Sequence, residues 1–464
     1  MMLSIRLLNR PKFTIMIAPN SSIEAKVRNF LTDTLEQTQI ETLARNCGFV
    51  QKRSKITGVI FAFLLLIETR QIKPASLNEL SAKLGMHGIL VSKQGLDYRF
   101  NDAAAVFMQQ LTDRALAAKL DRKDVLDISV KFNRIMIKDS TVFQLPESCA
   151  LKFRGSGGGA STAGMKIQYA YDLKAKGTVF LQAQPAVTPD NKNYLKDIQP
   201  MDLCLEDLGY ITHNHLEEVI KEQAYFLCRL SYNAKLFIKK EGQYFPVDID
   251  RIVRKMKNGQ RMQLSVYLGD KNKIPVRVIL ERVPNEVAAE KRRKLRYDKQ
   301  NKRKGITLGR LAFCDVNAYI TNAGEDLLPK TLIRSIYSLR WQVEIIFKAW
   351  KSTFNLDKVT PMKLSRFECL NYGTLLKIII CTKLFDYYKT ILWNRSRIEI
   401  SEMKAMKLLQ IILNQVNLNL LARTPQKIDK LLDQIMPTLA LKCVKERRKG
   451  RKTPIMILRQ LSLA

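Results

Sequence analysis

The segment TLIRSIYSLRWQVEIIFKAWKS combines a carboxylate with the side chains that phosphate chemistry uses. On a helix advancing by about 100° per residue, with Tyr337 at zero, Arg340 falls near about 300°, Glu344 near about 340° and Lys351 near about 320°. The four share one stripe roughly 60° wide. It borders an apolar face of Leu332, Ile336, Leu339, Val343, Ile346, Phe347 and Trp350, which would pack on a sheet. A carboxylate at that edge, half shielded from water and flanked by cations, could bind a metal ion and lie beside phosphates. The same spacing also makes an ordinary surface ion pair, because Arg340 and Glu344 stand at i, i+4. Spacing alone leaves the two readings level. Asp139 and Asp207 add weight to the first: each follows a predicted strand, and with Glu344 they could supply the oxygen ligands that two Mg²⁺ ions require.

Strands must carry two of these acids. In VLDISVKFNRIMIKDSTVFQLP, Ile135, Met136 and Ile137 make a short β-rich run expected to end at Lys138 and Asp139. MKIQYAYDLKAKGTVFLQAQPAV predicts two more strands around a turn at Lys176 and Gly177. MDLCLEDLGYITHNHLEEVIKEQAYFLCRL places Asp207 before a glycine, then a helix near 214–222 and a strand near 225–230 that ends beside Arg229. From about Ser231 to Asn322 short strands alternate with turns, a β-rich insertion. The remainder, from Leu327, is helical, with an apolar run YGTLLKIIICTKLFDYY and a basic cluster KCVKERRKGRK near a tail expected to be loose.

Upstream, residues from about Ser22 to Leu120 read as successive helices, including the run ending FAFLLLIETR. Within them, SLNELSAKLGMHGILVSKQGLDYRF places a helix from Leu77, a turn at Gly85 to Gly88 and a second helix near Val91 to Tyr98. That order resembles a helix-turn-helix, in which Ser92, Lys93 and Gln94 would face DNA; in a plain helical bundle they would face solvent. RGSGGGASTAG reads as a mobile loop; it lacks the G-K-[ST] ending of a nucleotide-binding loop. No internal repeat of the 20 to 50 residue kind is present.

At 464 residues the chain suggests about three domains. Its 46% hydrophobic content supports folded cores. Lys and Arg number 78 against 43 Asp and Glu, a formal charge of +35. Such self-repulsion calls for a polyanionic partner, DNA or RNA by default, with a ribosome-associated or membrane-surface protein as the other reading. The stretch EVAAEKRRKLRYDKQNKRKG concentrates nine Lys and Arg between Lys291 and Lys304, which favours phosphate contact over a merely solvated helical face. Eight scattered cysteines without a C-x-x-C pair, and only three histidines, fit a reduced, cytoplasmic protein without a zinc site. The start, MMLSIRLLNRPKFTIMIAPN, lacks the continuous apolar core of a signal peptide and its first residues are expected to be disordered. The run Val59 to Ile67 is about half what a bilayer requires, so no membrane span is expected.

Tyr337, Arg340, Glu344 and Lys351 match Y-x2-R-x3-E-x6-K without departure, and the chain thereby resembles the insertion-sequence-four type of DDE transposases. AYITNAGEDLL, the KDST around Asp139 and the EDLGY around Asp207 resemble that family in the expected order, over about residues 75 to 385. The resemblance implies an α/β fold: a ribonuclease-H-like mixed sheet flanked by helices, interrupted by a β-rich insertion, with helical N-terminal and C-terminal regions. The expected divisions are a helical DNA-binding domain over 1–125, the catalytic domain over 126–230 and 326–385, the insertion over 231–325 and a helical region over 386–464. Asp139, Asp207 and Glu344 become the expected catalytic metal ligands, for two Mg²⁺ or Mn²⁺ ions. Tyr337, Arg340 and Lys351 would handle the DNA backbone, with Arg229, Lys291, Arg292, Arg293 and Lys93 as further candidate contacts. The expected activity is binding of terminal inverted repeats, cleavage and strand transfer, by a homodimer on double-stranded DNA. A nuclease that cuts without joining and a DNA-binding regulator are the alternatives. Relatives that cut through a hairpin often hold a flipped base against a Trp of the insertion; here the Trp residues are 341, 350 and 393, and the insertion over 231–325 has none.

Overall fold

The computed structural model describes residues 21–67, 75–120, 126–157, 161–174, 177–192, 195, 197–301, 305–421, 425–447 and 449–464. The first twenty residues, the centre of the glycine stretch, Lys176 and the basic residues Lys302 to Lys304 lie outside them.

Alternating apolar residues build β1 (Arg134–Leu145), which pairs antiparallel with β2 (Ala163–Asp172), and β2 in turn with β3 (Gly177–Pro185). On its other edge β1 pairs in parallel with β4 (Asp202–Leu205), and β4 with β5 (Tyr225–Arg229). The later strands are β6 (Leu236–Lys240), β7 (Gln243–Pro246), β8 (Arg261–Leu268), β9 (Ile274–Arg282) and β10 (Val316–Thr321). Among the described residues all ten form one mixed sheet, ordered β3-β2-β1-β4-β5-β10-β9-β8-β6-β7. With helices on both faces it is the α/β architecture expected of a ribonuclease-H-like fold. The return strand β10 lies between β5 and β9, so the strands of the 231–325 stretch extend the same sheet.

The β-rich run does not stop at Asp139, as the sequence suggested. β1 continues to Leu145 because β2 keeps pairing with it to the end; what stops at Ile137 is the parallel pairing with β4. A central strand that loses one partner but keeps the other stays a strand.

Period-two alternation sends neighbouring residues to opposite faces. Ile135, Ile137, Leu203, Leu205, Leu227 and Tyr319 enter the larger core, while Met136, Cys204, Phe226, Cys228 and Ile320 enter the smaller one. The N-terminal helices are α1 (Ser21–Thr34), α2 (Gln37–Asn46), α3 (Gly58–Ile67), α4 (Leu77–Met86), α5 (Lys93–Arg99) and α6 (Asp102–Ala117). The smaller core is covered by α7 (His213–Lys221) and α8 (Ile249–Lys255). α9 (Asn285–Asn301) and α10 (Leu308–Phe313) precede β10. Beyond it come α11 (Ile333–Ser338), α12 (Gln342–Thr353), α13 (Leu364–Ser396), α14 (Glu402–Leu421), α15 (Pro425–Lys442) and α16 (Pro454–Ser462).

α3 buries residues all round, Phe61, Phe63, Leu65 and Leu66 among them, as a core helix does. It lies so close to α13 that a Cβ on Gly373 would stand 2.8 Å from the Leu65 Cβ. No helix among the described residues is long and apolar enough to cross a membrane. The tail is not loose: Thr453 caps α16, whose Ile455, Leu458 and Leu461 are buried, and Val444 bridges to Ile400. Apolar residues at helical spacing outweigh the basic cluster before them.

Candidate active site

Parallel register aligns the site. Ile137, Leu205 and Leu227 are matched across β1, β4 and β5; Asp139 and Arg229 follow two residues further along their strands, and Asp207 two residues beyond the end of β4. Antiparallel pairing adds Tyr319 opposite Arg229. Two acids, a cation and a phenol thus form a row at the end of the sheet where β4 gives way to a loop.

The segment bearing Glu344 passes over this row, but not as one regular helix. α11 and α12 are joined by a 3₁₀ turn at Leu339–Trp341, which tightens the winding and breaks the constant phase that the sequence spacing assumed. Arg340 consequently turns inward and is only 6% exposed, rather than lying on an edge stripe. Its Nη1 donates to Asp139 Oδ2 at 2.7 Å and its Nη2 to Glu344 Oε1 at 3.0 Å. Tyr337, buried, donates its hydroxyl to Asp207 Oδ1 at 3.4 Å. The Arg229 guanidinium stands 5.6 Å from the Tyr337 ring, and the Tyr319 and Tyr337 rings lie 5.3 Å apart. Lys351 Nζ donates to the Val142 carbonyl at 3.4 Å, on the continuation of β1.

The electrostatics follow from this crowding. Burial pushes the Asp139 carboxyl up; the Ser140 amide and Arg340 pull it down, and Asp207 and Glu344 push it up again. Burial would lower Arg340, yet the carboxylates of Asp139, Asp207 and Glu344 around it hold it above the ordinary arginine value. Burial, then Asp207, pushes Tyr337 up, so its hydroxyl keeps its proton.

A polar network runs beside the two acids through their chain neighbours. Ser140 Oγ donates to Asp190 Oδ1 at 3.3 Å, where Lys166 Nζ and Gln168 Nε2 also donate, and Tyr210 donates to Gln168 Oε1 at 2.9 Å. Ser140 adjoins Asp139, and Tyr210 closes a turn onto the Asp207 carbonyl. The sequence gives no local pattern that would have revealed this network.

Beside the row opens a cleft of about 380 Å³, lined by Leu208, Arg229, Tyr232, Lys291, Arg310 and Phe313 among others. Arg310 lies 5.5 Å from the Tyr232 ring, and its position in the β-rich stretch carried no motif. Lys291 is tethered by Val316 O and Asn317 Oδ1, and its ammonium is lowered by burial and then by Arg229. Arg292 pairs with Asp315, whereas Arg293 is exposed. Lys93 begins α5 far along the chain, exposed with Ser92 and Gln94, and Ser92 caps the helix. Of the tryptophans, Trp350 and Trp393 are buried and Trp341 is 48% exposed beside Arg340.

The donor set suits a divalent cation: hard carboxylate oxygens of Asp139 and Glu344 hold one positive group, and that of Asp207 accepts from the adjoining Tyr337. Among the described residues no three His, Cys, Asp or Glu side chains stand together at metal-binding spacing. The Arg340 guanidinium lies between Asp139 and Glu344 instead.

Residues 131–380 match the family described as Transposase DDE domain, and the chain belongs to it. Over nearly its whole length it is similar to particular members. It is 32% identical to the transposase for insertion sequence element IS231B of Bacillus thuringiensis subsp. berliner, over 94% of this chain and 95% of that one. It is 28% identical to the transposase for insertion sequence element IS1151 of Clostridium perfringens, over 93% and 96%. A looser likeness, TM-score 0.49 at 10% identity, is to the piggyBac transposase of a synaptic complex with hairpin DNA, over 94% of this chain and 87% of that one.

Proposed function

We propose that this transposase cuts the ends of an insertion sequence and joins them to new DNA at a site built from Asp139, Asp207 and Glu344. The observation that carries the assignment is the convergence of these acids, from β1, the end of β4 and α12, around Tyr337 and Arg340. Mg²⁺ or Mn²⁺, two ions in the full site, would supply Lewis-acid stabilisation of the attacking and leaving oxygens. The three carboxylates would hold those ions. Tyr337, its proton retained, donates a hydrogen bond to Asp207 and fixes its rotamer. Arg340 and Lys351 would orient the phosphates flanking the reacting one, and Arg229 with Arg310 would lead the strand toward the cleft. Water attacks an end phosphate and breaks its bond to the 3′-oxygen; the freed 3′-hydroxyl then attacks a target phosphate in line, forming a new phosphodiester as that phosphate's bond to its own 3′-oxygen breaks and leaves a 3′-hydroxyl. A homodimer on double-stranded DNA would bring two ends together, with the C-terminal helices as contacts and exposed Lys93 and Arg293 on the duplex. The DNA is that of the bacterial cytoplasm.

Incubating the protein with DNA carrying the inverted repeats that bracket its coding region, plus a target duplex, tests this reading. Nicked ends and joined products are expected in Mg²⁺ and neither in EDTA. Cutting without joining would make it a nuclease, and binding without cutting would make it a regulator.

A further inference from the structure

We propose that Arg340 is the resident cation of the acidic site: it bridges Asp139 and Glu344 until divalent metal takes its place, and is then released toward the DNA. This rests on the metal-ion reading above. One guanidinium spans two carboxylates carried by different elements, at 2.7 and 3.0 Å, and the Asp207 carboxylate adds to the field around it. Without a positive group there, the acids would repel one another across a half-buried space. The hold is incomplete, however. Arg340 Nε is buried with no hydrogen-bond partner, so among the described residues the hydrogen bonds that hold the guanidinium are those to the carboxylates a metal would claim, with the Trp341 ring 5.2 Å away as its other contact. Arg340 also sits on the 3₁₀ turn between α11 and α12, a tighter and less well bonded segment than the helices either side. A guanidinium and a metal ion cannot share the same carboxylate oxygens at close range without strong repulsion. Arg340 is therefore a positioning residue that sets the acids' spacing in the absence of metal and weakens metal binding until the ion displaces it.

Calorimetric titration of the full chain with Mn²⁺, without DNA, separates this from a plain structural ion pair. Arg340→Gln should bind Mn²⁺ on the order of tenfold more tightly than the parent, and Arg340→Lys, which keeps the charge, much less so. In EDTA the Gln variant should melt below the parent, and Mn²⁺ should raise its melting temperature further. Unchanged or weaker binding by Arg340→Gln would overturn the proposal. A second readout uses the parent chain and does not depend on the variant folding. Trp341 lies 5.2 Å from the guanidinium and is 48% exposed, so Mg²⁺ that releases Arg340 should change tryptophan emission. That change should be lost in Trp341→Phe. Mg²⁺ binding with no Trp341 response would contradict the release, whereas absence of any metal binding by the parent would remove the underlying metal assignment and this proposal with it.

Discussion

Burial separates the chemistry of Asp139 from that of Glu344. The Asp139 side chain is 22% exposed and Glu344 is 41% exposed. Asp139, pushed up chiefly by burial, stays protonated to a higher pH than a solvated aspartate. Its ionised form therefore costs stability above its folded pKa, a cost relieved as pH falls through that value. A protonated Asp139 cannot hold a cation. Mn²⁺ affinity measured without DNA should accordingly begin to weaken, on acidification, at a pH above the range of an ordinary aspartate; weakening only within that ordinary range would contradict the burial argument. Glu344 could be singled out from sequence because helical spacing within a few residues carries its pattern. Its partnership with Asp139 and Asp207 could not, since it depends on register between strands distant in the chain. Arg310 escaped notice for a simpler reason: nothing around it repeats. If Arg229 and Arg310 meet DNA phosphates, Arg229→Gln and Arg310→Gln should each weaken end binding and reduce the slope of log affinity against log salt by about one. Unaltered slopes would remove them from the interface.

Among the elements, β1 has the greatest burden, because it carries Asp139 and pairs with both β2 and β4. Its far end is clamped by Arg134, whose Nε donates to Asp202 Oδ1 at 2.9 Å and whose Nη2 pairs with Oδ2, both side chains being nearly inaccessible. Arg134 and Asp202 are also register partners, so the clamp lies in the pairing that sets β1 against β4 ahead of both acids. Arg134→Met leaves Asp202 charged and buried, and should lower stability by about 3–5 kcal/mol in denaturant unfolding. Pairing it with Asp202→Leu should recover most of that loss; no recovery would mean that packing, not charge, sets the cost. Where α13 meets α3, Gly373→Leu should lower the thermal midpoint, since even a Cβ at that position crowds Leu65. An unshifted midpoint would show that the two helices can part without cost. The strands and helices were largely legible from period and turn residues. The end of β1 and the 3₁₀ turn were not, because both depend on which neighbour supplies hydrogen bonds and packing.

For the molecule as a whole, one sheet joins the acids to the β-rich stretch, and the larger core runs from the N-terminal helices through α16. The segments read as separate regions in sequence therefore share apolar contacts, which no local composition reveals. The formal charge of +35 has its counterpart in the cleft cations and the exposed face of α9. DNA affinity should fall steeply between low and moderate salt as condensed counterions are released; a flat response would contradict a phosphate-dominated interface. The charge was plain from composition, but which cations remain available was not: Lys291 and Arg292 are held within the fold, whereas Arg293 faces outward. The central claim, that three carboxylates make one catalytic site, is tested most directly by comparing Asp139→Asn, Asp207→Asn and Glu344→Gln in Mg²⁺-dependent cleavage of a labelled element end. Each should lose cleavage by a factor of at least about 10³, the scale on which removal of one essential charge acts, while retaining DNA binding. Cleavage near the parent rate by any one of the three folded variants would contradict the account.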